Sequence, residues 1–269
     1  MKVIILASGS AGNAALFESG GTRVLVDAGI GPRTLAKKLQ EAGADRPSAI
    51  VITHAHQDHV GHCLRLSRWL KIPIYASEAT ARCAELRGRE QVRVFSPREP
   101  FAIGALTISP LPLPHDAAQV SLVLSDGTRR AAICTDLGEV PPDLSAHLAG
   151  VSIALIESNH DAEMLRRGPY PVFLKRRIGS AKGHLSNAQA RPLLRALSKE
   201  THTVVLMHLS KTNNTRELAL EAATDALAGR RIHLHAAAQD DCLTLDADAP
   251  PPPLLGPLKR GEQLSLFST

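Results

Sequence analysis

Residues 53–61 read THAHQDHVG and place His54, His56, Asp58 and His59 within six positions, directly after the apolar, β-branched run at 50–53. A chain that ends a buried strand in this way has to splay four imidazole and carboxylate groups around one point. Such groups suit Zn²⁺, Mn²⁺ or Fe²⁺, and four are more than one catalytic ion needs when it keeps an open position, so two metals are implied. The alternative is a polar junction at which Asp58 caps a helix and the histidines face solvent.

Around this cluster the chain alternates short apolar runs with turn signals. Runs at 3–6, 14–18 and 23–27 predict strands, with Gly20 and Gly21 as a hairpin turn between the last two. Pro32 opens a helix spaced through Leu35, Leu39 and Ala42 and closed by Gly43. A helix carrying Leu64, Leu66 and Leu70, a strand at 72–75 and a helix at 77–86 follow. Strands at 101–103, 106–111, 119–124 and 130–134 read as a meander. A helix at 143–148 precedes a strand at 152–157, and helices at 188–197 and 217–227 flank strands at 203–207 and 231–234. Strands and helices mix without the regular βα alternation of a doubly wound sheet, so the expected class is α/β, a four-layer αββα sandwich of two mixed sheets flanked by helices.

Composition narrows the partners. Hydrophobic residues make up 44% and can fill a core, but aromatics reach only 3%, which argues against a base-stacking surface and leaves phosphates as the route to nucleic acid. Lys and Arg exceed Asp and Glu by 31 to 26, a mild preference for polyanions. Cys63, Cys83, Cys134 and Cys242 form no CxxC pair and read as buried thiols of a reducing compartment. The apolar stretch at 3–7 is too short for a signal segment or a membrane span, so a cytoplasmic protein without membrane contact is expected. Four prolines at 250–253 bar helix and central strand, so residues 1–247 are expected to form one domain and 248–269 a stiff, exposed tail.

The pattern HxHxDH after a hydrophobic strand, preceded by Asp27 at a strand end, resembles the metallo-β-lactamase fold superfamily over residues 1 to about 246. The resemblance implies a later His, then an Asp, then a last His, each at a strand end, and His115, Asp136 and His208 stand in that order. It implies that His54, His56 and His115 hold one divalent ion, that Asp58, His59 and His208 hold the other, that Asp136 bridges them, and that Asp27 orients the HxHxDH loop. His115 also has a plain reading as an exposed loop residue and Asp136 as a helix cap. His184 competes for the last place; His208 is preferred because it ends a buried strand, whereas His184 opens a helix and is freer to move protons.

Two divalent ions sharing a carboxylate lower the pKa of water and favour hydrolysis. Within the superfamily, residues 116–135 leave no room for a protruding arm, residues 137–207 none for an inserted cap domain, and the end of the chain lacks a thioesterase's helical extension. The segments LASGSAGN (6–13), ESNHD (157–161), GHLSN (183–187) and MHLSKTNN (207–214) resemble the small YycJ-like bacterial exonucleases, which act on DNA from the 5′ end. The resemblance implies a dinuclear, Zn²⁺- or Mn²⁺-dependent phosphodiesterase with Asp58, Asp136 and His184 as catalytic residues. A small-molecule cyclic-phosphate phosphodiesterase or a thioesterase of the same fold is the alternative.

Phosphate contacts are expected from the glycine-rich turn, through Ser8, Ser10 and Asn13, and from Asn159, Lys182 and Asn187. Between His160 and His184, six cations (Arg166, Arg167, Lys175, Arg176, Arg177 and Lys182) outnumber Asp161 and Glu163, a possible backbone track or simply a solvated basic face. At the end of the chain, Gln263, Leu264, Leu266 and Phe267 resemble the pentapeptide by which bacterial polymerases and repair proteins bind the sliding clamp. That resemblance implies DNA and the clamp as partners in replication or repair.

Overall fold

The computed structural model describes residues 1–250 and 252–256. Six strands, β1 (Lys2–Ala7), β2 (Ala14–Ser19), β3 (Thr22–Val26), β4 (Ala49–Val51), β5 (Ile74–Ser77) and β6 (Val92–Phe95), lie side by side in chain order. The next seven, β7 (Phe101–Ile103), β8 (Leu106–Leu113), β9 (Gln119–Ser125), β10 (Arg130–Cys134), β11 (Ile153–Glu157), β12 (Thr203–Met207) and β13 (His233–Ala236), form a second sheet, again in chain order. β14 (Leu243–Asp246) then returns to the first sheet and pairs antiparallel with β1. Among the described residues each sheet has seven strands, three antiparallel pairings followed by three parallel ones.

Strand alternation builds the layers. Val3 and Ile5 of β1 face Ile108, Leu122 and Val205 of the other sheet, while Ile4 and Leu6 face outward onto a helical layer. That layer comprises α1 (Pro32–Glu41), α2 (Gln57–Val60), α3 (Cys63–Leu70) and α4 (Glu78–Cys83), with Leu35, Leu39 and Leu66 at its heart. Beyond the second sheet come α5 (Leu144–His147), α6 (Ala162–Arg167), α7 (Val172–Ile178), α8 (Asn187–Ala196) and α9 (Arg216–Leu227); α8 and α9 cover Ala154, Ile156, Val204 and Leu206. Both sheets are therefore apolar on both faces, which gives the expected four-layer αββα sandwich. Each buried Leu, Ile or Val contributes about 1.5–3 kcal/mol relative to exposure. Among the described residues, no helix is long and apolar enough to cross a membrane.

Local chemistry sets several boundaries. Gly20 (φ 54°) and Gly21 (φ 75°) take the left-handed conformations that a tight hairpin needs. Pro32 starts α1, and Ser186 and Gln189 close a capping box at the start of α8.

Edge strands β6 and β14 and helices α6 and α7 were not evident from the apolar runs. Nor does the chain leave the domain at 248. The Leu255 amide donates to the Arg230 carbonyl (2.8 Å), the Gly229 amide donates to the Leu255 carbonyl (3.0 Å), and the Leu255 side chain packs against the core under the second sheet. Prolines cannot donate to a ladder, but the leucines that follow them can. The four thiols are unpaired, and Cys83 is exposed rather than buried. The clamp-like residues Gln263, Leu264, Leu266 and Phe267 lie outside the described residues.

Candidate metal centre

Parallel strands align their carboxyl ends, and both sheets aim those ends at one place. Asp27 follows β3, His54 follows β4, Asp136 follows β10, Glu157 ends β11 and His208 follows β12. Asp27, Asp136 and His208 all have positive φ (64°, 58° and 58°), so the backbone turns sharply at each of these strand ends. Such left-handed conformations are strained for His and tolerated by Asp, and they cluster where side-chain direction matters.

Three loops converge there through backbone hydrogen bonds. The Asn13 amide donates to the Asp58 carbonyl (2.7 Å), the Ala28 amide to His59 (2.6 Å) and the Gly29 amide to Asn13 (2.9 Å). A side chain at Gly29 would stand 1.9 Å from the Asp58 carbonyl oxygen, so only glycine allows this approach.

The sequence-predicted ligands meet in two triads. His54, His56 and His115 bring one nitrogen each to within 4.8 Å of one another, as do Asp58, His59 and His208 with their ligand atoms. Asp136 lies between them: it groups with His54 and His59, and its Oδ2 is 3.3 Å from His59 Nε2.

The other nitrogen of each ring is already engaged. Nδ1 of His54 lies 3.1 Å from Thr53 Oγ1, Nδ1 of His115 donates to the Gly183 carbonyl (3.0 Å), and Nδ1 of His59 donates to Asp27 (2.7 Å). His208 Nδ1 faces Glu157 (3.1 Å), and His56 is held through Nε2 by Asp116 (3.0 Å). What remains are the inward atoms, and His54 Nε2, His208 Nε2 and Asp136 Oδ2 are buried without any hydrogen-bond partner. An unpaired buried polar atom costs about 1–3 kcal/mol, so three pointing into one cluster fit a set of metal donors. A fourth grouping, Asp136, Glu157, His184 and His208, also falls within 4.8 Å, but its Glu157 oxygens and histidine Nδ1 atoms are consumed by mutual contacts.

Charge agrees with that reading. Burial opposes ionisation of Asp136, but the His208 and His59 imidazoles outweigh it and hold the carboxyl well below its usual range. Glu157 is likewise buried, yet His184 and His208 bring it down to about 2. Burial lowers His54, which favours the neutral ring a metal needs, whereas at His208 the surrounding carboxylates overcome burial and raise it to about 10, so a metal there would displace that proton. Asp136 is thus kept ionised inside the protein, the state in which a carboxylate binds a cation, and ionised Glu157 holds the amides and rings around it.

Several expected phosphate ligands are otherwise occupied. Ser8 is buried and its hydroxyl accepts the His208 amide (2.8 Å), which fixes that residue's turn. Asn13 locks the 9–13 turn through Gly9 and donates to Asp58 Oδ2 (3.2 Å), so it steadies a candidate metal ligand. Asn187 is closed into a buried amide network with Ser158 and Asn214 and has no free end. Asn159 donates to the His208 carbonyl (2.8 Å). Lys182 is exposed and does not line the cleft at the site; Ser10, Asn159, His184 and Arg177 do. Cys134 sits in the apolar core outside the second sheet, where burial pushes its thiol up, so it packs rather than binds.

Two residues escaped the sequence reading of the site. Glu157, fully buried, accepts the amides of Asp136 (3.1 Å), Leu137 (3.2 Å) and Leu185 (3.0 Å) as well as His184 Nδ1 (2.9 Å). A carboxylate ending an otherwise apolar strand was the available signal. Asp116 stands between His56 and Arg177, whose Nε donates to it at 2.7 Å, and nothing but its place after His115 marks it.

This fold and this site define a metal-dependent hydrolase of the metallo-β-lactamase fold. Residues 22–209 match the beta-lactamase superfamily domain, and the chain belongs to that family. Among its relatives are the exodeoxyribonuclease YycJ of Bacillus anthracis, 36% identical over 83% of this chain and 88% of the relative, and the exodeoxyribonuclease WalJ of Streptococcus pneumoniae serotype 2, 35% identical over 84% and 88%. Among solved structures, the metallo-beta-lactamase fold protein YhfI from Bacillus subtilis superposes with a TM-score of 0.70 over 90% of this chain and 98% of its own, at 18% identity.

Proposed function

We propose that the protein is a dinuclear metal-dependent phosphodiesterase and that it digests DNA from the 5′ end. The observation that carries the reading is the pair of ligand triads flanking Asp136, in a chain whose relatives are named exodeoxyribonucleases. His54, His56 and His115 would hold one ion, Asp58, His59 and His208 the other, and Asp136 would bridge them. Zn²⁺ or Mn²⁺ bound there supplies a water of lowered pKa and polarises the phosphoryl oxygens.

The chain's own groups do the rest. Asp27 and Asp116 orient His59 and His56 through their outer nitrogens. Arg177, held by Asp116 at the cleft wall, is placed to neutralise a non-bridging phosphate oxygen. His184 is partly exposed to the cleft; with Nδ1 bound to Glu157, its Nε2 is the atom that can give a proton to the leaving oxygen. The Glu157 carboxylate holds that ring in place through Nδ1.

Digestion of a linear duplex with one 5′ label and one internal label, beside a closed circle, tests the reading. Release of the 5′ label first, with the circle spared and Asp136→Ala inactive, supports it; hydrolysis of small cyclic phosphates with no cut in DNA overturns it. The tail carries the second half of the proposal, a role in replication or repair through contact of Gln263, Leu264, Leu266 and Phe267 with the sliding clamp. A chain ending at residue 256 should keep its nuclease activity and lose clamp binding in a pull-down; unchanged clamp binding would remove the tail from the account.

A further inference from the structure

Beside the metal cluster opens a cleft of about 220 Å³, lined on one side by His115 and His184 and on the other by the α7 segment through Tyr170, Leu174 and Arg177. α7 buries none of its residues. Leu174, Arg177 and Ile178 share the face that turns to the cleft, spaced three and four apart. Val172 and Phe173 are left on the outer shoulder, 63% and 74% exposed, the two most exposed large hydrophobic side chains among the described residues. Phe173 thus presents its ring to solvent one position before Leu174, which lines the cleft.

The charges around this ring are sorted. Arg166 and Arg167 are paired with Glu163, the Lys175 ammonium donates to the Arg166 carbonyl, and Arg177 is paired with Asp116. Arg176, three positions from Phe173 and so on the same side of the helix, has no ionic partner among the described residues. A flat apolar ring beside a free guanidinium matches a strand of flat bases on a charged backbone. A lipid surface would need a wider apolar face than Val172 and Phe173 make.

We infer that Phe173 is a stacking platform for an unpaired nucleobase of the strand whose scissile phosphate enters the cleft, with Arg176 on the adjoining backbone. The inference rests on the nuclease reading and deepens it, because it adds a contact to bases where the site itself offers contacts only to phosphate.

The test compares kcat/KM on a 5′-labelled oligonucleotide with that on bis(p-nitrophenyl) phosphate, for wild type, Phe173→Ala, Phe173→Trp and Arg176→Ala. In Phe173→Ala the ratio of the two activities should fall about tenfold or more, and Phe173→Trp should restore it. Arg176→Ala should lower the ratio less, with a shallower salt dependence. An unchanged ratio in Phe173→Ala overturns the inference while leaving the nuclease reading in place, as do equal losses on both substrates. Wild-type protein that hydrolyses the small diester but no oligonucleotide overturns both together.

Discussion

Glu157 Oε1 lies 2.9 Å from Nδ1 of His184, and the same oxygen is 3.1 Å from Nδ1 of His208. One buried carboxylate thus holds both the proposed proton donor and a proposed metal ligand. Glu157→Gln should lower kcat by about tenfold to a hundredfold and weaken metal binding by a similar factor, measured by steady-state kinetics and metal titration. Unaltered kinetics and metal affinity would remove Glu157 from the mechanism.

His184 and His208 separate by metal content. His208→Ala should lose about one of two bound ions, counted by atomic spectroscopy on purified protein. His184→Ala should keep both and lose about a hundredfold or more in turnover of DNA. The loss should shrink on a p-nitrophenyl ester, whose leaving group needs no proton. If His184→Ala sheds a metal, the two assignments are exchanged.

Gly29 is where the Asn13 and Asp58 backbones press closest. Gly29→Ala forces those loops apart and should destabilise the protein by about 1–3 kcal/mol or more, seen as a lower denaturation midpoint. Metal affinity should fall as well, since Asp58 and His59 sit on the displaced loop. A variant as stable as wild type and fully metal-loaded would contradict the close approach.

His160 is buried beside the site, and burial lowers its pKa to about 4. The unfolded chain takes up its proton near the ordinary imidazole value of about 6.5. The histidine's contribution is therefore complete above that pH and is lost as pH falls from about 6.5 to 4, by about 2 kcal/mol after allowance for partial solvation. Glu157, at about 2, adds a second loss at lower pH, as pH drops below about 4.5. Urea midpoints measured from pH 4 to 7 should show the first decline in wild type and a flatter profile in His160→Asn. Parallel profiles would exclude His160 as its source.

Apolar runs and turn residues located most strands to within a residue or two, because strands buried on both faces are continuous apolar segments. They missed β6, where Arg93 and Val94 are exposed, and β14, a short strand whose pairing with β1 spans nearly the whole chain. Counting aromatics argued against base stacking; only the fold shows that the Phe173 ring is exposed on the helix whose other face lines the cleft. A composition records how many rings there are and not where they lie.

The candidate metal donors were legible because metal chemistry restricts such donors to a few residue types at strand ends. Local sequence was enough for HxHxDH, and the order of the remaining ligands for His115, Asp136 and His208. The supporting residues were not legible, since Ser8, Asn13, Asp116, Asn187 and Glu157 are ordinary polar residues whose partners lie far away in the chain. Whether Asn187 faces a phosphate or Asn214, and whether Ser8 binds a ligand or the His208 amide, depends on which loops the two sheets bring together. Sequence alone determined the layered class, through periodicity, and brought forward the candidate donors, through residue chemistry. Tertiary structure alone decided the hydrogen-bonded shell around the donors, because hydrogen bonding depends on distance and direction between residues that chain order leaves unspecified.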